Sequence, residues 1–406
     1  MKYLKRAIRV DIENYLKYFP VLLISGARQV GKSTLALHLG IDTYVTLDDI
    51  NIYQMAKNDP KGFIEYLEKP VIIDEVQRLP GLLLAIKEYV DKQRTNGMFV
   101  LTGSASLAGF KDISDSLAGR IGIVELYPLN LREKYGKTGN IIDLFLGDLD
   151  RYLLKQFDSS LIVQNIIDGG YPEIMNIDNP KAKYLWFSSY IRTYIESDAK
   201  EMANIRNLDK FITMYRLCML RSGNILNQNE LQKESGLDNR TFSSYFSVLE
   251  HTYQLQKLKP YFRNELKRLV KSPKIYAVDT GVLCHLLNIT HEEEYLRSPY
   301  KGNILETFVY GELLKANTYA ETKTMLTYYR TSDKKEIDFV LDFSNRVIAI
   351  EVKSSRSISQ QDFKHIYHLS KEIPDVFEKG IVLYAGDDFL KIDENMYAVP
   401  LGFMVG

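Results

Sequence analysis

A single loop sets the tightest limit on what this chain can fold into. Residues 21–25 read Val-Leu-Leu-Ile-Ser, a short apolar run between Pro20 and Gly26 that suits a buried parallel strand. Directly after it come Gly26, Ala27, Arg28, Gln29, Val30, Gly31, Lys32, Ser33 and Thr34, a complete G-x-x-x-x-G-K-[ST] pattern. Residues 35–39 are good helix formers. Strand, glycine loop and helix in that order make a phosphate cradle. Gly26 and Gly31 let the backbone turn tightly, so that its N–H groups face phosphate oxygens. The helix N-terminus adds a favourable dipole. Lys32 is expected to reach the β- and γ-phosphates of ATP, and Ser33 to ligate Mg²⁺.

The apolar run 71–73 ends in Asp74 and Glu75. Asp74 is expected in the Mg²⁺ shell. Glu75, at the strand tip, is expected to polarise an attacking water as general base. Residues 44–49 give another strand candidate between the two motifs. An intervening strand between loop strand and Asp-Glu strand points to the hydrolytic branch of the fold, not to small-molecule kinases. The run 98–101 ends in Thr102, Gly103 and Ser104. Ligands sit at the carboxyl ends of strands in doubly wound sheets. Thr102 or Ser104 is therefore a candidate to orient water or sense the γ-phosphate, with ordinary turn chemistry as the alternative. Arg120, after Leu117-Ala118-Gly119, is a candidate for the γ-phosphate of its own or a neighbouring subunit. A surface ion pair is its plain alternative. Residues 122–130 read as a fifth strand.

These motifs resemble the AAA-type ATPase module of a large prokaryotic family, in which a C-terminal domain of unknown function follows. The segment 168–173 (Asp-Gly-Gly-Tyr-Pro-Glu) and the helix candidate 190–195 match that family in character. The resemblance spans nearly the whole chain and implies an α/β P-loop NTPase core with a helical lid.

Residues 229–249 read as helix-turn-helix. Gly236 breaks the first helix, Asp238 or Asn239 caps the second, and Phe242, Tyr245, Phe246 and Leu249 give it a core face. Arg240, Ser243, Ser244 and Ser247 are left for the outer face. Residues 257–274 then hold seven basic residues against Glu265 alone, among them Lys267, Arg268, Lys271 and Lys274, with Tyr261 and Phe262 interleaved. This looks like the wing of a winged helix, and it suits phosphate contacts and stacking on DNA. Protein contact is the alternative use.

Glu306 falls in an amphipathic helix candidate. Asp338 starts an apolar strand, and Glu351 and Lys353 follow two apart, on one face of another. Asp338, Glu351 and Glu306 are expected to hold Mg²⁺ or Mn²⁺ through oxygen donors. Lys353 is expected to position water or stabilise phosphate charge. The D…E-x-K array resembles the restriction-endonuclease-like nuclease superfamily. Gln360 and Gln361 fall where some members place a supporting glutamine. An inactive nuclease-like fold and an unrelated α/β domain with a charged surface strand are the alternatives.

Length and composition fit such a chain. The 406 residues set a prior of two to three domains. We divide them at 1–135 (ATPase core), 136–205 (helical lid), 206–285 (winged-helix-like) and 286–406 (restriction-endonuclease-like). Hydrophobic residues at 45% exclude disorder of the whole. Lys plus Arg equals Asp plus Glu, at 52 each, which excludes a globally basic nucleic-acid coat but not a local basic face. Cys218 and Cys284 are too far apart for a zinc or redox motif. No apolar run reaches the length of a membrane span, and Asp11 and Glu13 argue against a signal peptide. The expectation is a cytoplasmic ATP-binding and ATP-hydrolysing protein coupled to DNA binding and metal-dependent DNA cleavage. Its partners would be ATP, DNA and protein or a second copy. The rival reading is an ATP-switched regulator or scaffold with an inactive nuclease-like domain.

Overall fold

The apolar runs that bracket the motifs become the strands of one parallel sheet. The computed structural model describes residues 3–104, 117–195, 205, 207–262 and 272–406. The strands are β1 (Val21–Ser25), β2 (Thr43–Thr46), β3 (Val71–Asp74), β4 (Phe99–Gly103) and β5 (Ile121–Glu125). They pair in the order β2-β3-β4-β1-β5, every pair parallel. β1, β3 and β4 are buried at every position, as continuous apolar runs require. Leu23, Ile73, Phe99 and Leu101 pack with Ile64, Leu83 and Ile86 from the flanking helices Pro60–Tyr66 and Leu82–Lys92. Because the strands are parallel, the tips of β1, β3 and β4 lie side by side, and those tips carry the motifs.

One expectation on strand order is corrected. The strand over 44–49 does not intervene between the loop strand and the Asp-Glu strand; β2 lies at the sheet edge, and β4 lies between β1 and β3. Burial is the reason. β4 is apolar enough to be covered on both faces, whereas β2 carries two threonines and a part-exposed Tyr44. The strand that intervenes between β1 and β3 is therefore β4.

These strands belong to the first of two compact units, Lys5–Pro128 with Phe246–Gln254. The second unit comprises Met1–Leu4, Leu129–Tyr245 and Leu255–Gly406. It begins with helices Ile141–Leu146, Leu161–Asp168 and Pro180–Tyr194. Gly169, at φ +64°, ends the second of them. The Gly170 N–H then donates to Asp279 Oδ2 at 2.7 Å, and Asp279 also caps helix Thr280–Leu286 by accepting from Val282.

Helices Leu208–Leu220, Gln228–Ser235 and Asn239–His251 follow, with three short strands, β6 (Asn224–Ile225), β7 (Leu255–Leu258) and β8 (Lys274–Ala277). The strands form an antiparallel sheet in the order β6-β8-β7. Gly236 takes φ +64° in the turn, and Asp238 Oδ1 accepts from the Thr241 N–H at 3.0 Å. Phe242, Tyr245, Phe246 and Leu249 are buried, while Arg240, Ser243 and Ser244 are exposed.

A six-stranded mixed sheet completes the unit. Its strands are β9 (Met325–Arg330), β10 (Glu336–Asp342), β11 (Val347–Lys353), β12 (Phe377–Tyr384), β13 (Leu390–Asp393) and β14 (Met396–Pro400), in the order β13-β14-β12-β11-β10-β9. Helix Lys301–Tyr319 packs against β8, β11 and four shorter helices. Eleven of its 19 residues are buried, so the expected amphipathic helix is instead enclosed on most sides. Among the described residues no helix is long and apolar enough to cross a membrane. Cys218 and Cys284 are buried free thiols.

Candidate functional site

The glycine loop is shaped by its backbone. Gly26 has φ +156°, and a Cβ there would clash with the Leu126 carbonyl oxygen. Gly31, at φ +92°, caps helix Lys32–Leu37 in the left-handed region. Gln29 also takes positive φ (65°), a conformation disfavoured for side chains other than glycine. Ala27 and Val30 are buried, Arg28 is half-buried, and Thr34 is exposed. The buried Arg6 braces the loop from outside, donating to the Val30 carbonyl at 2.9 Å and the Tyr127 carbonyl at 2.7 Å. Lys32 Nζ donates to the carbonyls of Gly26 (3.0 Å) and Ala27 (2.9 Å), back into its own loop.

The adjoining strand tips complete the constellation. Ser33 Oγ donates to Asp74 Oδ1 at 2.8 Å, joining the two motifs. Thr102 Oγ1 donates to the same oxygen, and Tyr44 OH donates to Asp74 Oδ2 at 2.9 Å. Burial, then the Asp74 carboxylate, pushes the Tyr44 phenol up to about 12. Glu75 sits at φ 59°, and its N–H donates to Thr102 Oγ1 at 3.2 Å. The Gln77 amide reaches the Glu75 carboxylate and donates to Ser104 Oγ at 3.0 Å, while the Ser104 N–H donates to Gln77 Oε1 at 3.3 Å. Lys32, Ser33, Asp74, Glu75 and Ser104 are thus brought together. Arg6, Tyr44 and Gln77 were not singled out from sequence. Gln77 had one available signal, its place three residues after Asp74; the other two depend on long-range pairing.

Arg120 is not brought to the loop of its own chain. Its carbonyl accepts from the Val21 N–H at the start of β1, whereas the loop leaves β1 at its other end. Five strand residues at about 3.3 Å each separate those edges. The Arg120 guanidinium instead pairs with Asp91 at 2.5 Å. The own-subunit role is corrected accordingly.

In the second unit the strands place Asp338 and Glu351 beside each other. Phe339 pairs with Ile350 in the antiparallel β10–β11 ladder, and Asp338 and Glu351 are the next residues along it. Asp338 Oδ2 accepts from the Val352 N–H at 2.9 Å. Lys353 Nζ pairs with Glu351 Oε1 at 2.8 Å, as residues two apart on one strand face allow. Glu306, from helix Lys301–Tyr319, accepts from Tyr276 OH at 2.5 Å. Burial first, then the Asp338 charge, pushes the Glu306 and Glu351 carboxyls well above the usual carboxylate range.

The metal expected at Glu306, Asp338 and Glu351 does not fit the placement observed. Among the described residues no three His, Cys, Asp or Glu side chains are placed to hold a metal ion. A lysine lies there instead. Lys274 Nζ pairs with Glu306 Oε1 at 2.8 Å and Glu336 Oε1 at 2.6 Å, and lies 4.0 Å from Asp338 Oδ1. This corrects a second expectation, since Lys274 is 2% exposed and no part of a solvent-facing basic wing. Its desolvation costs less than leaving the acids of the cluster uncompensated. Tyr261 is likewise core, packed with Tyr329 and Phe363, not a stacking platform. Lys267, Arg268 and Lys271 lie outside the described residues. Gln360 and Gln361 are exposed.

Three family models match successive parts of the chain. Residues 18–135 match a family described as an AAA domain. Residues 159–293 and 301–404 match two families, each described as a domain of unknown function. An uncharacterized protein of Mycobacterium tuberculosis is 28% identical, over 98% of this chain and 83% of its own. One from Methanocaldococcus jannaschii is 23% identical, over 95% of this chain and 87% of its own. Among solved structures, a Walker-type ATPase of Pyrococcus abyssi aligns with 70% of this chain and 96% of its own, at 14% identity and TM-score 0.42. The DNA clamp loader delta protein of Bacillus subtilis aligns with 75% and 99%, at 13% identity and TM-score 0.26. Both scores are too low to equate folds. The AAA-domain match and the parallel sheet give the first unit the α/β fold of P-loop ATPases, and with it support for ATP binding.

Proposed function

We propose that the first unit binds and hydrolyses ATP, and that the second binds DNA and carries a nuclease-like acid–lysine cluster held silent in the arrangement described. The observation that carries the ATPase reading is the Ser33–Asp74 hydrogen bond, with Glu75 next in sequence at the tip of β3. A serine hydroxyl against a carboxylate is a set of hard oxygen donors that fits Mg²⁺. When bound, Mg²⁺ neutralises charge on the β- and γ-phosphates. Lys32 turns from the loop carbonyls to the phosphates. Glu75 accepts the proton of the attacking water, and Ser104, tied to Glu75 through Gln77, marks where that water and the γ-phosphate meet. The test pairs Lys32→Ala with Glu75→Gln in nucleotide binding and phosphate release. Lys32→Ala should lose ATP binding. Glu75→Gln should keep binding and lose about 10²- to 10⁴-fold in turnover. Ordinary turnover by Glu75→Gln removes the residue from the role of base.

The DNA-binding reading is supported by the helix-turn-helix at Gln228–Ser235 and Asn239–His251 and the small β6-β8-β7 sheet, an arrangement that suits a winged helix. Arg240 stands exposed on the second helix, and Lys267, Arg268 and Lys271 fall on the connection between β7 and β8. Changing those three to Glu should abolish duplex binding in a low-salt gel shift; unchanged affinity defeats the reading.

The nuclease-like reading is supported by Asp338 beside Glu351, with Lys353 on the face of Glu351. Lys274 favours the regulator reading over constitutive cleavage, because it pairs with Glu306, one of the acids that cleavage would need. Plasmid incubated with Mn²⁺ should survive wild-type protein. Cutting equal in wild type and in Asp338→Ala with Lys353→Ala would mark a contaminant. Arg120 remains proposed only for a neighbouring subunit, and a cytoplasmic setting with self-association or a protein partner is part of the same proposal.

A further inference from the structure

The segment Phe246–Gln254 lies in the chain between two parts of the second unit, yet it belongs to the first. It holds the end of helix Asn239–His251, the second helix of the helix-turn-helix, and the turn after it. Backbone bonds close that turn. The Tyr253 N–H donates to the Glu250 carbonyl at 3.1 Å, and the Gln254 N–H to the Leu249 carbonyl at 2.9 Å. This pattern puts the residue after the helix in the left-handed region, where glycine is usual. Tyr253 stands there at φ 59°. That conformation is uncommon for a large side chain and persists only where the surroundings fix it.

The side chain shows what fixes it. Tyr253 is buried, and its ring meets that of Tyr127 edge-on, with 5.8 Å between centroids. Its hydroxyl donates to Glu125 Oε1 at 3.3 Å and lies 2.8 Å from Ser25 Oγ. With its proton on Glu125, the Tyr253 oxygen accepts from Ser25. Tyr127 OH donates to the other Glu125 oxygen at 2.9 Å. Ser25 is fully buried, pairs with Glu125 in the β1–β5 ladder and directly precedes Gly26. The phosphate loop thus leaves β1 from a residue whose hydroxyl is held by the turn after the helix. Lys32 holds the carbonyls of the next two residues, Gly26 and Ala27. When Lys32 turns to the phosphates, those carbonyls are released, beginning at the residue bonded to Ser25.

We infer that Tyr253 is a positioning residue for the phosphate loop, and the link through which nucleotide on the loop and duplex DNA on helix Asn239–His251 change each other's binding. The inference rests on the ATP-binding and DNA-binding readings proposed for the two units. Arg240, exposed in the first turn of that helix, and Tyr253, bonded to its last turn, belong to one continuous element. The link is reciprocal: the factor by which nucleotide changes DNA affinity is the factor by which DNA changes nucleotide affinity.

The test is a fluorescence-anisotropy titration of a labelled mixed-sequence DNA duplex at low salt. The full chain is taken nucleotide-free or saturated with a non-hydrolysable ATP analogue. In wild type the two DNA affinities should differ about fivefold or more. Tyr253→Phe keeps the ring and removes only the hydroxyl. Its nucleotide-free DNA affinity should match wild type, while the ratio between the two states falls to about one. Ser25→Ala should do the same, and the double variant no more than either alone. A purely structural role for Tyr253 would leave that ratio untouched. Equal DNA affinities in the two states of wild type, with both ligands bound, overturn the link, as does an undiminished ratio in Tyr253→Phe. A wild type that binds no duplex overturns the DNA reading, one that binds no analogue overturns the ATP reading, and the link falls with either. Should Tyr253→Phe fail to fold, Ser25→Ala decides by the same ratio.

Discussion

Gln77 donates its amide to Ser104 Oγ across 3.0 Å, and the same nitrogen reaches the Glu75 carboxylate. The expected general base is thereby tied to the tip of β4 before any nucleotide arrives. Its position does not rest on the backbone of β3 alone.

Gln77→Ala should therefore lower ATP turnover about ten- to a hundredfold while leaving ATP affinity close to wild type. Steady-state phosphate release and nucleotide titration separate the two. A matched loss of affinity would assign Gln77 to the shape of the pocket, not to the placing of Glu75. Gln77→Glu should not rescue turnover, because it sets a second carboxylate against Glu75.

Gly26→Ala should destabilise the first unit by about 1–3 kcal/mol and lose ATP binding. The added carbon would meet the Leu126 carbonyl, which is backbone and gives little. Urea unfolding and nucleotide titration read the two effects. Gly31→Ala differs in kind, since nothing lies within 4 Å of its Cβ position and only the left-handed φ opposes the change.

Arg120→Ala should leave the stability of the first unit close to wild type, because a part-exposed ion pair such as that with Asp91 contributes little. Turnover per chain at concentrations where the protein is monomeric should not change. A loss confined to concentrations at which chains associate would place Arg120 against a neighbour's nucleotide.

Lys134 supplies a pH dependence. Its ammonium donates to Asn165 Oδ1 at 3.1 Å and to the Gly169 carbonyl, and the side chain is half-buried. Burial first, then repulsion from Lys315, pushes its pKa down to about 8, from a usual 10.5. The unfolded chain holds this proton more tightly than the folded one between about pH 8 and 10.5, so stability rises with pH across that window. The gain is up to about 3 kcal/mol. Lys134→Met should flatten this part of the slope in urea unfolding between pH 7.5 and about 10.

The local chemistry was written in the sequence. Gly26 to Thr34, Asp74 with Glu75, and Glu351 with Lys353 are each set by a few consecutive residues whose spacing fixes which side chains share a turn or a strand face. The cap at Asp238 was legible for the same reason. What pairs with what was not. That β4 rather than β2 separates β1 from β3 depends on which strand is apolar enough to be covered twice. Arg120 immediately precedes β5, and the parallel pairing of β5 with β1 sends it to the edge opposite the loop. Lys274 shows the difference most plainly. In sequence it is one more cation in a basic run; in the fold its strand aims it at Glu306 and Glu336, where acids brought together from a helix and a strand are costly to bury without a counter-charge.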